Sequence, residues 1–368
     1  MGDTMEPRPR RGTTILVLTI ILVSVFTVAV VLPPALKTPD LRVRVAIIDS
    51  GITRDESLRT RLVAEKCFIC TDLGYSLTIN TTEDSMPEGA LHGTYVAKVI
   101  SVESPNAAIL NAKVVTENNT ATIEAIVSAI TWAVLNESCN VINLSLGART
   151  GQSDLLREVI VWAFNQGVSV IASAGNHGYG GIPGTSIETP ADYPEVIAVA
   201  AVDDSRAPYY FSARGPLRNR ISKPDISAVG YYSTNGVTVF GTSFAAPRVT
   251  SAVVSIIEYC QENGLSWTPG MIKAAIINSA SYIPLESWEV GAGLLDAESA
   301  IDYIANSQVE DRLPLIATVT PQTGPYEFER WFVNTSIDMV LSIFCSNYSQ
   351  FIISYSVSQN VTISGPEE

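Results

Sequence analysis

Positive charge and histidine are scarce in this sequence. Lys and Arg number 23 against 37 Asp and Glu, giving a formal net charge of −14. A surface with that balance repels a phosphate backbone and argues against a nucleic-acid partner. The chain has 2 histidines, His92 and His177, so chemistry that needs an imidazole has few candidates. Cysteine is sparse and odd in number: Cys67, Cys70, Cys139, Cys260 and Cys345 make 5. At least one is therefore unpaired or pairs between chains. The Cys67-x-x-Cys70 pair reads as half a zinc site only with a second ligand pair, which is missing. A local disulfide or buried thiols remain as readings. No internal repeat or low-complexity tract is evident, which excludes a repeat architecture.

Charge is missing altogether from residues 13–32. Twenty helical residues span about 30 Å, the hydrocarbon thickness of a bilayer. Arg8, Arg10 and Arg11 precede the run, and positive charge stays on the cytoplasmic side. The expected organisation is a cytoplasmic tail over 1–12, a transmembrane signal anchor over 13–32 and a linker over 33–41, with the rest outside. The alternative is a signal peptide removed from a secreted protein. Against it, signal apolar regions run about 7–15 residues and end at a small-x-small site, and no clear site of that kind follows the run.

Three motifs carry chemistry. Val45-Ala46-Ile47-Ile48-Asp49-Ser50-Gly51 reads as a buried strand ending in a turn. A carboxylate at the carboxyl end of a parallel strand sits where open α/β sheets bind ligands, although Asp-Ser-Gly is also ordinary turn chemistry. Leu91-His92-Gly93-Thr94-Tyr95-Val96-Ala97 puts a histidine at the start of an apolar helix, with Gly93 allowing close backbone approach. Gly241-Thr242-Ser243-Phe244-Ala245-Ala246-Pro247 opens a long apolar helix from Ser243 to about Gly264. A plain N-cap serine is the common reading of such a start. A nucleophile held near the positive end of the helix dipole is the other. Serine is a weak nucleophile, so a base must take its proton and a carboxylate must orient that base. Asp49, His92 and Ser243 supply those groups.

The order Asp, His, Ser resembles that of the subtilisin-like serine proteases, the subtilases. The resemblance covers roughly residues 42–305. It includes Val141-Ile142-Asn143-Leu144-Ser145-Leu146-Gly147, Ile171-Ala172-Ser173-Ala174-Gly175-Asn176, Phe211-Ser212-Ala213-Arg214-Gly215-Pro216, Lys223-Pro224-Asp225-Ile226 and Gly291-Ala292-Gly293-Leu294-Leu295. It implies a catalytic triad of Asp49, His92 and Ser243, with the Asn176 amide and the Ser243 backbone N–H as oxyanion donors. It also implies that Ser145, Leu146 and Gly147 offer a strand edge to the substrate, and that Ala172, Ser173, Ala174 and Gly175 flank the pocket for the side chain before the cut. These residues are small and uncharged, so the expected pocket is apolar or permissive rather than selective for Lys or Arg. The pocket floor is not assigned. His177 is the rival base but lacks the helix-start motif.

The expected fold is α/β: a three-layer subtilisin-like arrangement with a mostly parallel central sheet flanked by helices. Strands over 111–115, 141–146, 168–174 and 195–202 alternate with helical spacing over 120–135 and 153–166. The peptidase domain is expected over 42–305. A β-rich extension follows over 306–368, with strands over 327–333, 339–345 and 351–357, and reads as a structural cap.

Some features depart from the family pattern. The His92-to-Lys113 stretch is short where many members hold calcium, so no cofactor or metal site is expected. Glu83-Asp84 and Asp203-Asp204 read as solvated surface, with calcium binding as the alternative. Lys98 falls in the His92 helix, where a buried ammonium needs a partner or an exit to water. The segment between Asp49 and His92 looks long and has no assignment. Only about ten residues separate the apolar run from the first catalytic strand, so no inhibitory prodomain is expected. N-x-S/T triplets at Asn80, Asn118, Asn136, Asn334, Asn347 and Asn360 permit glycosylation of an exported chain, whereas Asn143 falls in a core strand. The expected function is a serine endopeptidase with a polypeptide substrate, acting outside the cytoplasmic membrane. A catalytically silent binding or scaffold protein is the alternative.

Overall fold

The computed structural model describes residues 42–69, 81–86, 91–149, 153–178, 186–215 and 222–307, with the backbone of 317–320 and 342–345. The expected anchor over 13–32 and its flanking tail and linker lie outside the described residues, as do the expected strands over 327–333 and 351–357. Among the described residues, no helix is long and apolar enough to cross a membrane.

The chain alternates strand and helix: β1 (Arg44–Asp49), β2 (Leu62–Cys67), α1 (His92–Glu103), β3 (Ala108–Lys113), α2 (Ile123–Leu135), β4 (Val141–Leu144), α3 (Asp154–Asn165), β5 (Ser169–Ser173), β6 (Ile197–Val202) and β7 (Ile226–Val229). The seven strands form one sheet in the order β2-β3-β1-β4-β5-β6-β7, each neighbour pair parallel. The short antiparallel pair β8 (Tyr231–Thr234) and β9 (Val237–Phe240) follows. Then come α4 (Thr242–Glu262), α5 (Pro269–Asn278), α6 (Ser287–Val290) and α7 (Ala297–Asn306), and the antiparallel strands β10 (Ala317–Thr320) and β11 (Ser342–Cys345).

The period-2 alternation of side chains sorts the sheet into two faces. Val45 and Ile47 of β1 join the core beneath α1, α4, α5 and α7. Ala46 and Ile48 join the core beneath α2 and α3. The expected three layers follow from that sorting. Helix starts carry their own signals: Thr122 and Ser153 cap α2 and α3 through side-chain oxygens. The strand expected over 111–115 begins earlier, at Ala108. The β8–β9 hairpin turns at Asn235 and Gly236 with φ of 48° and 79°, the left-handed geometry an Asn-Gly pair favours.

The unassigned segment after Asp49 contributes β2, an edge strand parallel to β3. Lys98 pairs with Asp55 from this segment, its Nζ 2.6 Å from Oδ2, so the ammonium is satisfied near the surface. Of the glycosylation triplets, Asn118 and Asn136 are exposed, while Asn143 is fully buried and unavailable. Burial pushes the Cys139 thiol up to about 12 and that of Cys260 to about 11, which makes both poor nucleophiles.

One buried ionic cluster locks the far side of the sheet. Asp225, at the start of β7, pairs with Lys223 Nζ at 2.6 Å and with Lys273 Nζ of α5 at 3.0 Å. It also accepts the Ala198 N–H of β6 at 2.7 Å. Lys223 donates to the Val196 carbonyl, and Lys273 donates to those of Pro194 and Val196. Burial alone would raise the Asp225 pKa, but the two ammonium groups outweigh it and hold the carboxyl below the usual range. The resulting stabilisation is present above the ordinary carboxylate pKa and is lost as pH falls through the lowered folded value. Neutralising the carboxyl by Asp225→Asn leaves two buried ammonium groups without their counter-ion. The expected loss is about 3–5 kcal/mol, read by urea unfolding at neutral pH. A loss within about 0.5 kcal/mol, the scale of an ordinary surface substitution, would contradict this role.

Candidate active site

The carboxyl ends of β1, β4 and β5 face the amino ends of α1 and α4. This is the edge where an open parallel sheet changes direction around β1 and binds ligands. Asp49 ends β1 and is 2% exposed. Its Oδ1 accepts the Ser50 N–H at 2.7 Å and lies 2.8 Å from His92 Nδ1. His92 is the first residue of α1. Close approach of α1 to the turn after β1 requires Gly93, where a Cβ would lie 2.3 Å from the Gly51 carbonyl oxygen. The Gly93 N–H donates to Ser50 Oγ, which donates in turn to Asp84 Oδ1.

Asp84 is not the solvated surface group expected from the sequence. Its Oδ2 accepts the backbone N–H and the hydroxyl of Thr94, and its Oδ1 also accepts the Met86 N–H. It ties the long segment after Asp49 to the first turn of α1. Among the described residues, no cluster of three or more potential ligands is placed to hold a metal ion.

Ser243 is the second residue of α4 and not its N-cap, which is Gly241. The helix is buried nearly all round, so the unpaired backbone groups of its first turn need protein partners. Pro247 lacks an N–H, and the residue four earlier is Ser243. The Ser243 carbonyl instead accepts the Ser145 hydroxyl at 2.8 Å. Ser145 is oriented by Asn143 Nδ2, and Asn143 Oδ1 accepts the Thr250 hydroxyl from within α4. The Ser243 hydroxyl donates to the Ser145 carbonyl at 3.3 Å. The neighbouring Phe244 ring lies 5.7 Å from the His92 ring, between centroids.

Asn176 is fixed by the same helix start. Its Oδ1 accepts both the N–H and the hydroxyl of Thr242 at 3.0 Å, and the Thr242 oxygen accepts the Gly175 N–H. With Oδ1 occupied, the amide nitrogen is the end left to donate. Sequence reasoning missed Thr242 as a positioning residue, although it lies inside the Gly-Thr-Ser motif.

Ser145 and the stretch from Ala172 to Gly175 are buried, Leu146 is half-buried and Gly147 is exposed. Glu188, which carries no local motif, lies beside these segments. Two contacts bring it here: its N–H donates to the Ala174 carbonyl, and Thr189 pairs with Ala148 through two backbone hydrogen bonds. The carboxylate packs against Gly147 and Gly175 and contacts His177 Nδ1. His177 is thereby engaged by Glu188, and Asp49 contacts His92.

Comparisons with known proteins show what the chain is similar to. The sequence profile of the Subtilase family matches residues 41–310. Subtilisin DY of Bacillus licheniformis is 31% identical over 268 residues, covering 70% of this chain and 90% of that protein. Subtilisin E of Bacillus subtilis (strain 168) is 30% identical over 269 residues, covering 70% of this chain and 65% of that protein's length. In fold, the chain is similar to the prenylagaramide maturation protease PagA, with a TM-score of 0.56 and 24% identity, over 71% of this chain and 93% of that one.

Burial alone would lower the His92 pKa. The Asp49 carboxylate, by charge and hydrogen bond, and the Asp84 charge together raise it above 6.5. In a chain with 2 histidines, both ring signals are separable by NMR. His92 is expected to titrate above 6.5, and Asp84→Asn is expected to lower its midpoint by removing a negative charge. An unchanged midpoint in a folded variant would mean that Asp84 does not act on this imidazole.

Proposed function

The chain belongs to the subtilase family, and on that premise we propose that Asp49, His92 and Ser243 are its catalytic triad. The protein is a subtilisin-like serine endopeptidase, and its substrate is a polypeptide. The observation that carries the residue assignment is the 2.8 Å contact between His92 Nδ1 and the buried Asp49 carboxylate. It occupies Nδ1 and leaves Nε2 to act as the base.

In the proposed cycle, the Ser243 hydroxyl leaves the Ser145 carbonyl and gives its proton to His92 Nε2 as Oγ attacks the scissile carbonyl carbon. Asp49 holds the Nδ1–H tautomer and stabilises the imidazolium. The oxyanion forms against the Asn176 amide and the Ser243 backbone N–H, donors already oriented before charge develops. His92 then protonates the leaving amine, and the C–N bond breaks to leave an acyl ester on Ser243. A water molecule, deprotonated by His92, attacks the ester and returns the proton to Ser243. Substrate backbone lies along Ser145, Leu146 and Gly147, with the side chain before the cut between that segment and Ala172–Ala174 with Gly175. The bonds from Thr242 to Asn176 Oδ1, which leave the amide nitrogen to donate, support the role of Asn176 as an oxyanion donor.

The proposed location is extracytoplasmic, with residues 13–32 as a single-pass signal anchor; the uncharged run and the arginines before it support that reading. The scaffold alternative drew support from Lys98 and from the expected lack of a prodomain, and the pairing of Lys98 with Asp55 removes the first of these.

The purified chain is expected to hydrolyse a chromogenic peptide and to be labelled by a fluorophosphonate, and Ser243→Ala is expected to do neither. A folded wild type that does neither overturns the assignment. Asn176→Ala is expected to lower kcat by about 100- to 1000-fold, the loss already known for the oxyanion asparagine of subtilisin itself. A drop of less than about tenfold would remove Asn176 from the oxyanion hole.

A further inference from the structure

Glu188 lies between the two segments that flank the proposed slot for the side chain before the cut. A Cβ added at Gly175 would fall 2.5 Å from Glu188 Cδ, and one at Gly147 would fall 2.9 Å from Glu188 Oε2. Both positions therefore need glycine because this carboxylate fills the gap between their backbones. Gly175 has a second reason, since its φ is +110°. The backbone delivers the side chain to this place by design of the ladder: the Glu188 N–H bonds the Ala174 carbonyl at 2.9 Å, and Thr189 pairs with Ala148 in both directions at 3.0 Å.

Glu188 is 6% exposed. Its Oε1 contacts His177 Nδ1, and that ring is itself 51% exposed. A carboxylate so far from water requires a positive or hydrogen-bonding counterpart. His177 engages Oε1, and Oε2 lies toward Gly147. The residues against the carboxylate are small and uncharged, Gly147 and Gly175, and the neighbouring Ala172 and Ala174 add no charge. That arrangement suits a long alkyl stem ending in a cation, which lies along apolar surface and delivers its charge to the far end. A guanidinium adds two parallel donors matched to a carboxylate. The formal net charge of −14 also draws cationic segments toward the molecule.

From this geometry we infer that Glu188 is the specificity determinant for a basic residue, Arg or Lys, immediately before the scissile bond. The inference rests on the Ser243 protease reading and replaces the expectation of an apolar or permissive pocket. It adds no chemical step: Glu188 binds the substrate side chain and leaves the reacting atoms to Ser243, His92 and Asp49. A small or medium apolar residue finds walls it can touch but leaves the carboxylate without a new partner. An acidic residue meets like charge and is rejected.

The test is the ratio of kcat/KM for peptides that differ only before the cut, carrying Arg, Lys, Leu, Ala or Glu. Wild type is expected to prefer Arg and Lys over Leu by about 10- to 100-fold, the scale of one ion pair at the intermediate dielectric of a partly buried site. Glu188→Gln keeps the size of the side chain and removes its charge. It is expected to collapse the Arg-to-Leu ratio toward unity, and His177→Ala is expected to preserve the preference for Arg. Preference of the wild type for Leu or Ala overturns the inference while leaving the protease reading intact, and needs no variant to fold. An Arg preference that survives in Glu188→Gln overturns it as well. Failure to cleave any of the peptides or to react with a fluorophosphonate overturns the protease reading and this inference with it.

Discussion

The first turn of α4 is the constraint on which the site depends. A helix that runs through the middle of a domain cannot leave its amino end to water, so its unpaired N–H and C=O groups must find protein partners. Pro247 sharpens the demand by withholding the N–H that the Ser243 carbonyl would otherwise take. Ser145 meets that demand from the end of β4, and Asn176 meets the Thr242 N–H from the end of β5. The groups that hold the helix start are thus the groups around Ser243. On the proposed assignment, structural satisfaction and catalytic preorganisation are one set of hydrogen bonds.

The network extends inward by defined donor and acceptor roles. Thr250 donates to Asn143, Asn143 to Ser145, and Ser145 to the Ser243 carbonyl. Each member is buried, and a buried polar chain of this kind is stable only when every member is paired. On the other side, Asp49, Ser50, Asp84 and Thr94 tie the turn after β1 to the first turn of α1. The His92 ring is thereby held from its own helix and from the long segment before it. The Lys223, Asp225 and Lys273 cluster secures β6 and β7 against α5, away from the chemistry.

Much of this was legible before the fold was seen. Strand and helix order followed from apolar runs and helical spacing, and the close approach at Gly93 followed from its place beside His92. Other features were not legible, for physical reasons. Asp84 looked like any acidic surface pair, because nothing local indicates that its oxygens meet the Thr94 and Met86 amides. Lys98 looked like a defect in a buried helix until Asp55 was found beside it. The β8–β9 hairpin carried a readable Asn-Gly signal that went unused. Glu188 lies outside every recognisable motif and reaches Gly147 and Gly175 through pairing of Thr189 with Ala148.

The sequence by itself determined the chemical inventory and the order of the layers. Residue type dictates what can act as nucleophile, base or oxyanion donor, and hydrophobic period dictates which segments become strands or helices. Only the tertiary structure decided which groups meet. It chose Asp49 and not Glu188 as the partner of His92, placed Ser243 one turn before a proline whose missing donor Ser145 replaces, and set a carboxylate between Gly147 and Gly175. Those outcomes depend on register and on crossings between distant strands, and a contact between residues dozens of positions apart leaves no mark in the local spacing of either.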